Sequence, residues 1–191
     1  AYARLPEPRR KNRKGNNIKP YIILFAFFHC SLVIHSSGAN YFVDSVDGSD
    51  DNDGLSIRTP WKSHKKVQSA SLEAGDVVHF KRGSAFSGSI RISDSGTAAK
   101  PIRLTSYGKG DLPKFTNPTT RDASGNAIIL GGDYLIVENL HFHDTPGERV
   151  SGMIIMTKLA ALRIEYGADH CIIRNNEFIK TGQGIMSAGE H

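Results

Sequence analysis

Residues 163–181, RIEYGADHCIIRNNEFIKT, repeat an earlier stretch, residues 127–145, AIILGGDYLIVENLHFHDT, after a shift of 36 residues. A second shift of 21 residues places Ile164 on Ile185 and His170 on His191. Self-similarity at a period near 20 residues is typical of a stacked solenoid. The pairs matched by the longer shift are Ile128/Ile164, Gly131/Gly167, Asp133/Asp169, Ile136/Ile172, Val137/Ile173, Asn139/Asn175, Phe142/Phe178 and Thr145/Thr181.

Within the repeat, apolar and polar residues alternate over short runs that Gly and Asn interrupt. Cys171 and Ile173 fall on one side of a strand, and Ile172 and Arg174 fall on the other. Such alternation is typical of strands that are half buried. A single coil cannot bury its apolar side, whereas stacked coils can. The pattern therefore predicts an all-β solenoid, a parallel β-helix with three strands per coil. The expected strands of one coil are 163–166, 171–174 and 177–180, and residues 144–161 form an insertion in one turn.

The N-terminal part of the solenoid is expected to carry a helical lid. Thr59 is a suitable helix cap and Pro60 a suitable first helical residue, so a helix is predicted over residues 60–71. The open end of a β-helix exposes strand edges that invite aggregation. We therefore expect this helix to cover that end, with Trp61 or Val67 facing inward. Further strands are expected at 41–44, 77–80, 89–93 and 102–106, and a surface loop at 111–126.

A series of short motifs between residues 40 and 191 carries a family resemblance. In this order they resemble the N-terminal part of a right-handed parallel β-helix protein of the pectate-lyase-like superfamily. The resemblance implies a right-handed β-helix, in a class that includes secreted bacterial polysaccharide lyases and hydrolases and some proteins of no known activity. The motifs are Asn40–Asp44, Asp47-Gly48-Ser49-Asp50, Asp53-Gly54-Leu55, Thr59-Pro60-Trp61-Lys62, Ala74-Gly75-Asp76-Val77-Val78, Lys81-Arg82-Gly83, Ser95-Gly96-Thr97, Lys100-Pro101-Ile102 and Ile172–Phe178.

The positive charge of the chain is concentrated at its N-terminal end. The net charge is +5, but residues 1–20 alone carry seven basic residues against Glu7. Residues 40–191 carry 17 basic and 18 acidic residues. Binding to nucleic acid requires a basic face on the folded domain itself. The distribution therefore argues against a nucleic-acid partner.

The basic stretch is followed by features of a secretory signal. Residues 21–34 are almost wholly apolar, but 14 residues are fewer than the ~20 that cross a bilayer as a helix. Small residues at Ser37 and Ala39 suit cleavage after Ala39. An uncleaved anchor is the alternative, and it would be the chain's only membrane contact. After cleavage Cys171 would be the only cysteine, so no disulfide within the chain could form. This fits an exported bacterial protein, secreted, periplasmic or on the cell surface.

The expected domains are therefore a leader or anchor, residues 1–39, and a β-helix, residues 40–191. His191 falls within a turn, where a coil should continue to its next strand. We expect the β-helix to be truncated at its C-terminus and the protein to be a monomer.

Two clusters of side chains could in principle bind a metal. Asp47, Asp50, Asp51 and Asp53 offer the oxygen ligands that calcium prefers, but their spacing does not match an EF-hand, and a turn with side-chain to backbone hydrogen bonds is the alternative. His141 and His143 share one strand face and could begin a metal site, although no third ligand is evident. The alternative is two surface histidines beside an inward Phe142. No metal site or cofactor is therefore assigned, while calcium remains possible in the complete protein.

The resemblance also implies where a glycan would bind. Similar lyases bind their substrate along the strand that follows the long insertion, which here is residues 163–166. With Ile164 inward, Arg163 and Glu165 point outward, and Lys158 and Arg149 in the insertion could border the groove. Arginine and lysine suit an acidic sugar, because a lyase must stabilise a carboxylate. A merely solvated charged face is the alternative, and the catalytic residues stay unassigned.

Two classes of function follow. One is a secreted polysaccharide lyase that cleaves an acidic polysaccharide such as pectate, alginate or a glycosaminoglycan by β-elimination, or a related glycoside hydrolase. The other is a non-catalytic β-helix that binds glycans at a cell surface. In both, the partner is a polysaccharide.

Overall fold

The structure is a computed structural model, and it describes residues 38–117, 126–145, 160–165 and 167–188, with Asp144 through its backbone only. The predicted signal or anchor segment, residues 21–34, lies outside the described residues. No helix in the described ranges is long and apolar enough to cross a membrane. The elements are β1 (Asn40–Val43), α1 (His64–Ser69), β2 (Val77–Lys81), β3 (Ala85–Ser87), β4 (Ile90–Ile92), β5 (Ile102–Tyr107), β6 (Lys114–Thr116), β7 (Ile128–Leu130), β8 (Leu135–Glu138), β9 (His141–Thr145), β10 (Leu162–Ile164), β11 (Ile172–Arg174), β12 (Glu177–Thr181) and β13 (Ile185–Ser187).

The strands form three sheets that the chain visits in turn. Sheet A has the order β1-β2-β5-β8-β11, sheet B the order β3-β6-β9-β12, and sheet C the order β4-β7-β10-β13. The two strands of each pair are parallel and come from successive turns of the chain. The chain therefore winds through four coils of three strands, preceded by β1. The predicted parallel β-helix is confirmed.

The register agrees with the predicted repeat in two of the sheets and differs in the third. Ile136 pairs with Ile172 in sheet A, and Phe142 pairs with Phe178 in sheet B, as the 36-residue shift predicts. In sheet C, Leu162 pairs with both Ile128 and Ile185, so the alignments through Ile164 are wrong by two residues. Counted between paired residues, the stretch from Ile164 to Ile172 is two residues longer than the stretch from Leu130 to Ile136 in the coil before. Two residues are one strand period, so the inward side chains stay inward.

A row of phenylalanines runs through the core on the inner side of sheet B. Phe86, Phe115, Phe142 and Phe178 are in register, and successive ring centroids lie 5.1, 5.9 and 5.0 Å apart. Phe115 and Phe142 are fully buried, whereas Phe178 in the fourth coil is only partly buried. The aromatic row therefore links the four coils along the solenoid axis.

Asparagines form the bend between sheets A and B in the third and fourth coils. Asn139 and Asn175 have φ values of 58° and 54°, in the left-handed region that asparagine tolerates better than most residues. Leu140 is fully buried, and Asn176 stands at the equivalent position of the next coil. The Asn176 amide accepts a hydrogen bond from the Leu140 nitrogen at 3.0 Å and donates one to the Val137 carbonyl at 2.9 Å. Asn176 thus joins two coils through the backbone rather than through an amide ladder.

The helix starts later than the sequence predicts. It covers His64–Ser69 with Ser63 as N-cap, whereas a start at Pro60 was expected. Trp61 is extended instead: its nitrogen donates to the Phe42 carbonyl, and it pairs with Val43 in a parallel bridge. This pairing with β1 outweighs the local preference of Thr59 and Pro60 for a helix start.

The short helix still covers a sheet edge. It packs against β4, the first strand of sheet C. The Gln68 side chain accepts a hydrogen bond at 2.9 Å from the Arg91 nitrogen, as a neighbouring strand would. Trp61 and Val67 are both buried, as predicted. The lid therefore replaces a missing strand at the N-terminal edge of sheet C.

Part of the predicted loop at residues 111–126 is a strand. Within it, β6 carries the fully buried Phe115, and the Asn117 side chain donates to the Asn126 carbonyl at 3.0 Å. With three residues, β6 is too short to show alternation in the sequence. The predicted strand at 89–93 is found as β4, whereas the three-residue strand β3 before it was missed for the same reason.

Candidate functional site

The outer face of sheet C presents one residue from each of four coils. Arg91, Ile129, Arg163 and Met186 are in register and stand at the middle of their three-residue strands. Their neighbours Ile90, Ile128 and Leu162 fill the core, so alternation turns this row outward. We call these four residues the sheet C row. A ligand lying on it would contact successive coils.

Arg163 is the charged residue of this row that has no ion-pair partner within the described ranges. It is partly buried, and its Nε is buried with no hydrogen-bond partner. Within the described ranges, no carboxylate forms an ion pair with Arg163. Hydrogen bonds from a charged guanidinium to a ligand oxygen are stronger than those between neutral groups. The structure places the predicted Arg163 on the outer face of β10.

Glu165, the second predicted residue, is already held by another side chain. Its two carboxylate oxygens bind the two terminal nitrogens of Arg91, with Oε1 2.8 Å from Nη2 and a shorter contact between Oε2 and Nη1. This bidentate pair reaches from the first coil to the third and passes over Gly131 in the second. Glu165 thus positions Arg91 and is not a free base in this arrangement.

The remaining predicted residues, Lys158 and Arg149, lie outside the described residues. They belong to the insertion between Thr145, the last residue of β9, and Ala160. The Ala160 nitrogen donates to the Asn126 side chain at 2.7 Å. This bond fixes the end of the insertion beside β10, which carries Arg163.

Other charged side chains on the outer faces are mostly paired. On sheet A, Glu138 lies between Arg174, whose Nε is 2.6 Å away, and Arg103, whose Nε is 3.6 Å away. Lys81 Nζ lies 2.5 Å from Asp44. Burial alone would raise the pKa of Asp44, but hydrogen bonds from Lys81 and two backbone nitrogens outweigh it and lower this pKa. These pairs stabilise the fold, in contrast to Arg163.

The aspartate-rich loop serves turns and the helix start. Asp50 accepts from the backbone nitrogens of Lys62 and Ser63 at 2.9 and 2.8 Å. Asp53 accepts from the Thr59 hydroxyl and the Leu55 nitrogen, and these bonds lower its pKa. In the part of the chain that the structure describes, no three His, Cys, Asp or Glu side chains are grouped as a metal site would require. These hydrogen bonds show that Asp50 and Asp53 have the side-chain to backbone role of the turn interpretation.

His141 and His143 share the outer face of β9, as predicted. Their ring centroids lie 5.5 Å apart, and Phe142 between them points into the core. His141 is only partly exposed, and its Nδ1 lies 3.7 Å from Glu177 Oε2. The 36-residue shift found in the sequence already places Glu177 on His141, and the structure adds the distance between the two side chains.

Comparisons with known proteins support the fold and point to carbohydrate chemistry in the relatives. No family model matches the chain. It is 41% identical over 83 residues to a lacto-N-biosidase of Bifidobacterium longum subsp. longum, a match that covers 41% of this chain and 5% of that protein. The crystal structure of a GH136 lacto-N-biosidase from Eubacterium ramulus matches with a TM-score of 0.62 and 20% identity, over 80% of this chain and 31% of the other.

A rhamnogalacturonan lyase structure matches with a TM-score of 0.56 and 21% identity, over 74% of this chain and 36% of that one. At these identities the solved structures establish the fold alone, and they are parallel β-helix proteins. The resemblance inferred from the sequence is thereby confirmed. The chain spans about a third of the length of these solved relatives and a twentieth of the curated one.

Proposed function

We propose that this chain contributes a glycan-binding face to a carbohydrate-active β-helix protein. The observation that carries the proposal is the 41% identity over 83 residues to a lacto-N-biosidase. The chain matches only a small part of that protein, so the activity would belong to a larger protein of which these coils are a portion.

The sheet C row is the proposed binding face. A β-helix enzyme must build its site from several coils, because each short strand offers only one or two outward side chains. Arg163 stands in this row with no ion-pair partner among the described residues, and the chain segment after Thr145 returns to the fold at Ala160, two residues before β10. No catalytic residue is assigned among the described residues.

Hydrolysis of a glycosidic bond is the first candidate reaction, favoured by the similarity to the lacto-N-biosidase. Such hydrolysis commonly requires two carboxyl groups, one on each side of the bond. The second candidate is β-elimination on an acidic polysaccharide, favoured by Arg163, a cation on this face with no carboxylate partner among the described residues. In this reaction a base takes the proton beside the carboxylate while a cation stabilises the charge that develops.

One assay separates the candidates. The chain and a form extended at its C-terminus are incubated with an oligosaccharide ending in lacto-N-biose and with pectate, alginate and glycosaminoglycans, with and without calcium. New reducing ends without ultraviolet absorbance indicate hydrolysis, whereas elimination also leaves an unsaturated uronate that absorbs. Binding without turnover indicates a non-catalytic glycan-binding protein, the alternative considered from the sequence. The proposal would be overturned if the protein neither bound nor cleaved any of these substrates.

We further propose that the protein is exported and that the leader is cleaved after Ala39. The basic and apolar leader ahead of a nearly neutral domain supports this. Ala39 itself bonds to the fold, since its nitrogen donates to Asp76 at 2.7 Å and its carbonyl accepts from Val77 at 2.8 Å. N-terminal sequencing of protein from the medium or periplasm should find Asn40 first; a chain that retains residues 21–34 would indicate an anchor.

A further inference from the structure

A cleft of about 550 Å³ opens at the corner between sheets A and B. None of the residues that line it belongs to sheet C, so the cleft is separate from the sheet C row. Its size falls within the range of pockets that hold small ligands. The glycan-binding face described above does not account for it.

The floor of the cleft is an outward row of sheet B. Ala85, Lys114, His141 and Glu177 follow one another in register across four coils. The first of these has no side chain beyond Cβ, so the row leaves an open space beside Lys114. The turns of the first two coils wall this space, and Arg82 ties them together by donating from Nη1 to the Gly110 carbonyl at 3.0 Å.

The His141 ring has unused hydrogen-bonding capacity. Its Nε2 is buried and has no hydrogen-bond partner among the described residues. Its Nδ1 lies 3.7 Å from Glu177 Oε2, which is too long for a hydrogen bond. Buried polar groups are nearly always hydrogen-bonded in native proteins, and exceptions require an explanation. Because Nε2 is closed to solvent, a ligand in the cleft would meet the ring at Nδ1, where its oxygen could bridge the imidazole and Glu177.

The charges that line the cleft indicate a neutral ligand. Arg82 and Lys114 are balanced by Asp111 and Glu177. Two cations and two carboxylates leave no net charge to favour an anion or a cation, whereas a sugar hydroxyl both donates and accepts and can bond to either type of group. We infer that the cleft is a second saccharide site that binds a neutral sugar unit through Lys114, His141 and Glu177. The choice of a sugar as the ligand rests on the proposed function, whereas the cleft as a binding site does not.

The test is a titration of the full chain with lacto-N-biose, a neutral disaccharide, and with digalacturonate, an acidic one. Amide shifts in two-dimensional NMR locate the binding. We expect lacto-N-biose to shift residues 82–85, 114 and 141. Ala85→Tyr should fill the open space and weaken binding at least tenfold. Ser87→Tyr is the matched control, because it places the same ring on the same face of β3 outside the cleft, and it should leave the affinity unchanged.

Several results would overturn the inference. These are shifts confined to sheet C, equal effects of the two tyrosine substitutions, or binding of digalacturonate but not lacto-N-biose at the cleft. The Arg163→Ala variant distinguishes failure of the cleft inference from failure of the proposed function, because sugar binding in the cleft should survive that substitution. If the protein cleaves a glycan but binds no sugar in the cleft, only the cleft inference is refuted. If a sugar binds in the cleft, but no glycan is cleaved and none binds on sheet C, only the proposed function is refuted.

Discussion

At the scale of single residues, His64 links protonation to stability. Its side chain is almost fully buried against Phe86 and Phe115, and burial lowers its pKa to about 4 from the ordinary 6.5. Between these two values the unfolded chain binds the proton and the folded chain does not. Stability is therefore complete above pH 6.5 and falls as the pH decreases toward 4, by about 3 kcal/mol from this residue.

Urea unfolding at pH 7, 5.5 and 4.5 measures this effect. His64→Gln is the comparison, because glutamine does not titrate while other groups titrate as before. We expect the wild-type chain to lose more stability than the variant over this interval. Equal losses would show that His64 is not buried in its neutral form.

Arg163 is the residue on which the proposed binding face depends. A hydrogen bond from a charged group contributes about 1.5–3 kcal/mol, so Arg163→Ala should weaken glycan binding roughly 10- to 100-fold. Its thermal midpoint should change little, because its guanidinium has no ion-pair partner among the described residues. Calorimetric titration measures the affinity, with Lys65→Ala on the exposed side of the helix as the control. Unchanged affinity in Arg163→Ala would exclude this face.

Sequence alternation could place Arg163 outward, because that depends only on neighbouring residues. It could not reveal the partner of Glu165. Arg91 lies 74 residues earlier, and the contact exists only because two coils separated by a third bring the residues together. The sequence thus predicted the direction of these side chains, but only the three-dimensional structure shows that Glu165 is already paired.

At the scale of elements, the phenylalanine row should dominate the packing between coils. Phe142 is fully buried between Phe115 and Phe178, so Phe142→Ala should cost about 3–5 kcal/mol of unfolding free energy. Ser87→Ala, on the outer face of the same sheet, should be almost neutral. Chemical denaturation of both variants measures the difference, and similar midpoints would contradict the assigned strand faces.

The elements that the sequence predicts best are those of the third and fourth coils, where the 36-residue repeat reveals them. The β6 strand and the helix start were missed for different reasons. A three-residue strand such as Lys114–Thr116 is too short for a pattern. At Trp61, pairing with β1 determines the backbone, and this pairing is not visible in the local sequence.

At the scale of the whole molecule, helix α1 protects one end of the solenoid. Val67 is buried where the helix packs on β4, so Val67→Asp should detach the lid and expose the first edge of sheet C. Exposed sheet edges pair with other chains. Light scattering should therefore show concentration-dependent association of this variant. Lys65→Asp, on the exposed side of the same helix, should remain as dispersed as the wild type. If both variants aggregated, the change in charge rather than the loss of the lid would explain the association.

The three corners of the solenoid differ in how freely their length changes. In the third and fourth coils, the corner between sheets A and B is only two residues long, and its first residue is an asparagine with positive φ, Asn139 or Asn175. The corner between sheets B and C instead accommodates either the long insertion after Thr145 or three residues after Thr181. Evolution can thus add or remove segments beside the sheet C row without disturbing the core. Relatives with this scaffold should diversify in substrate preference mainly at the corner between sheets B and C, where the length of the connection differs most from coil to coil.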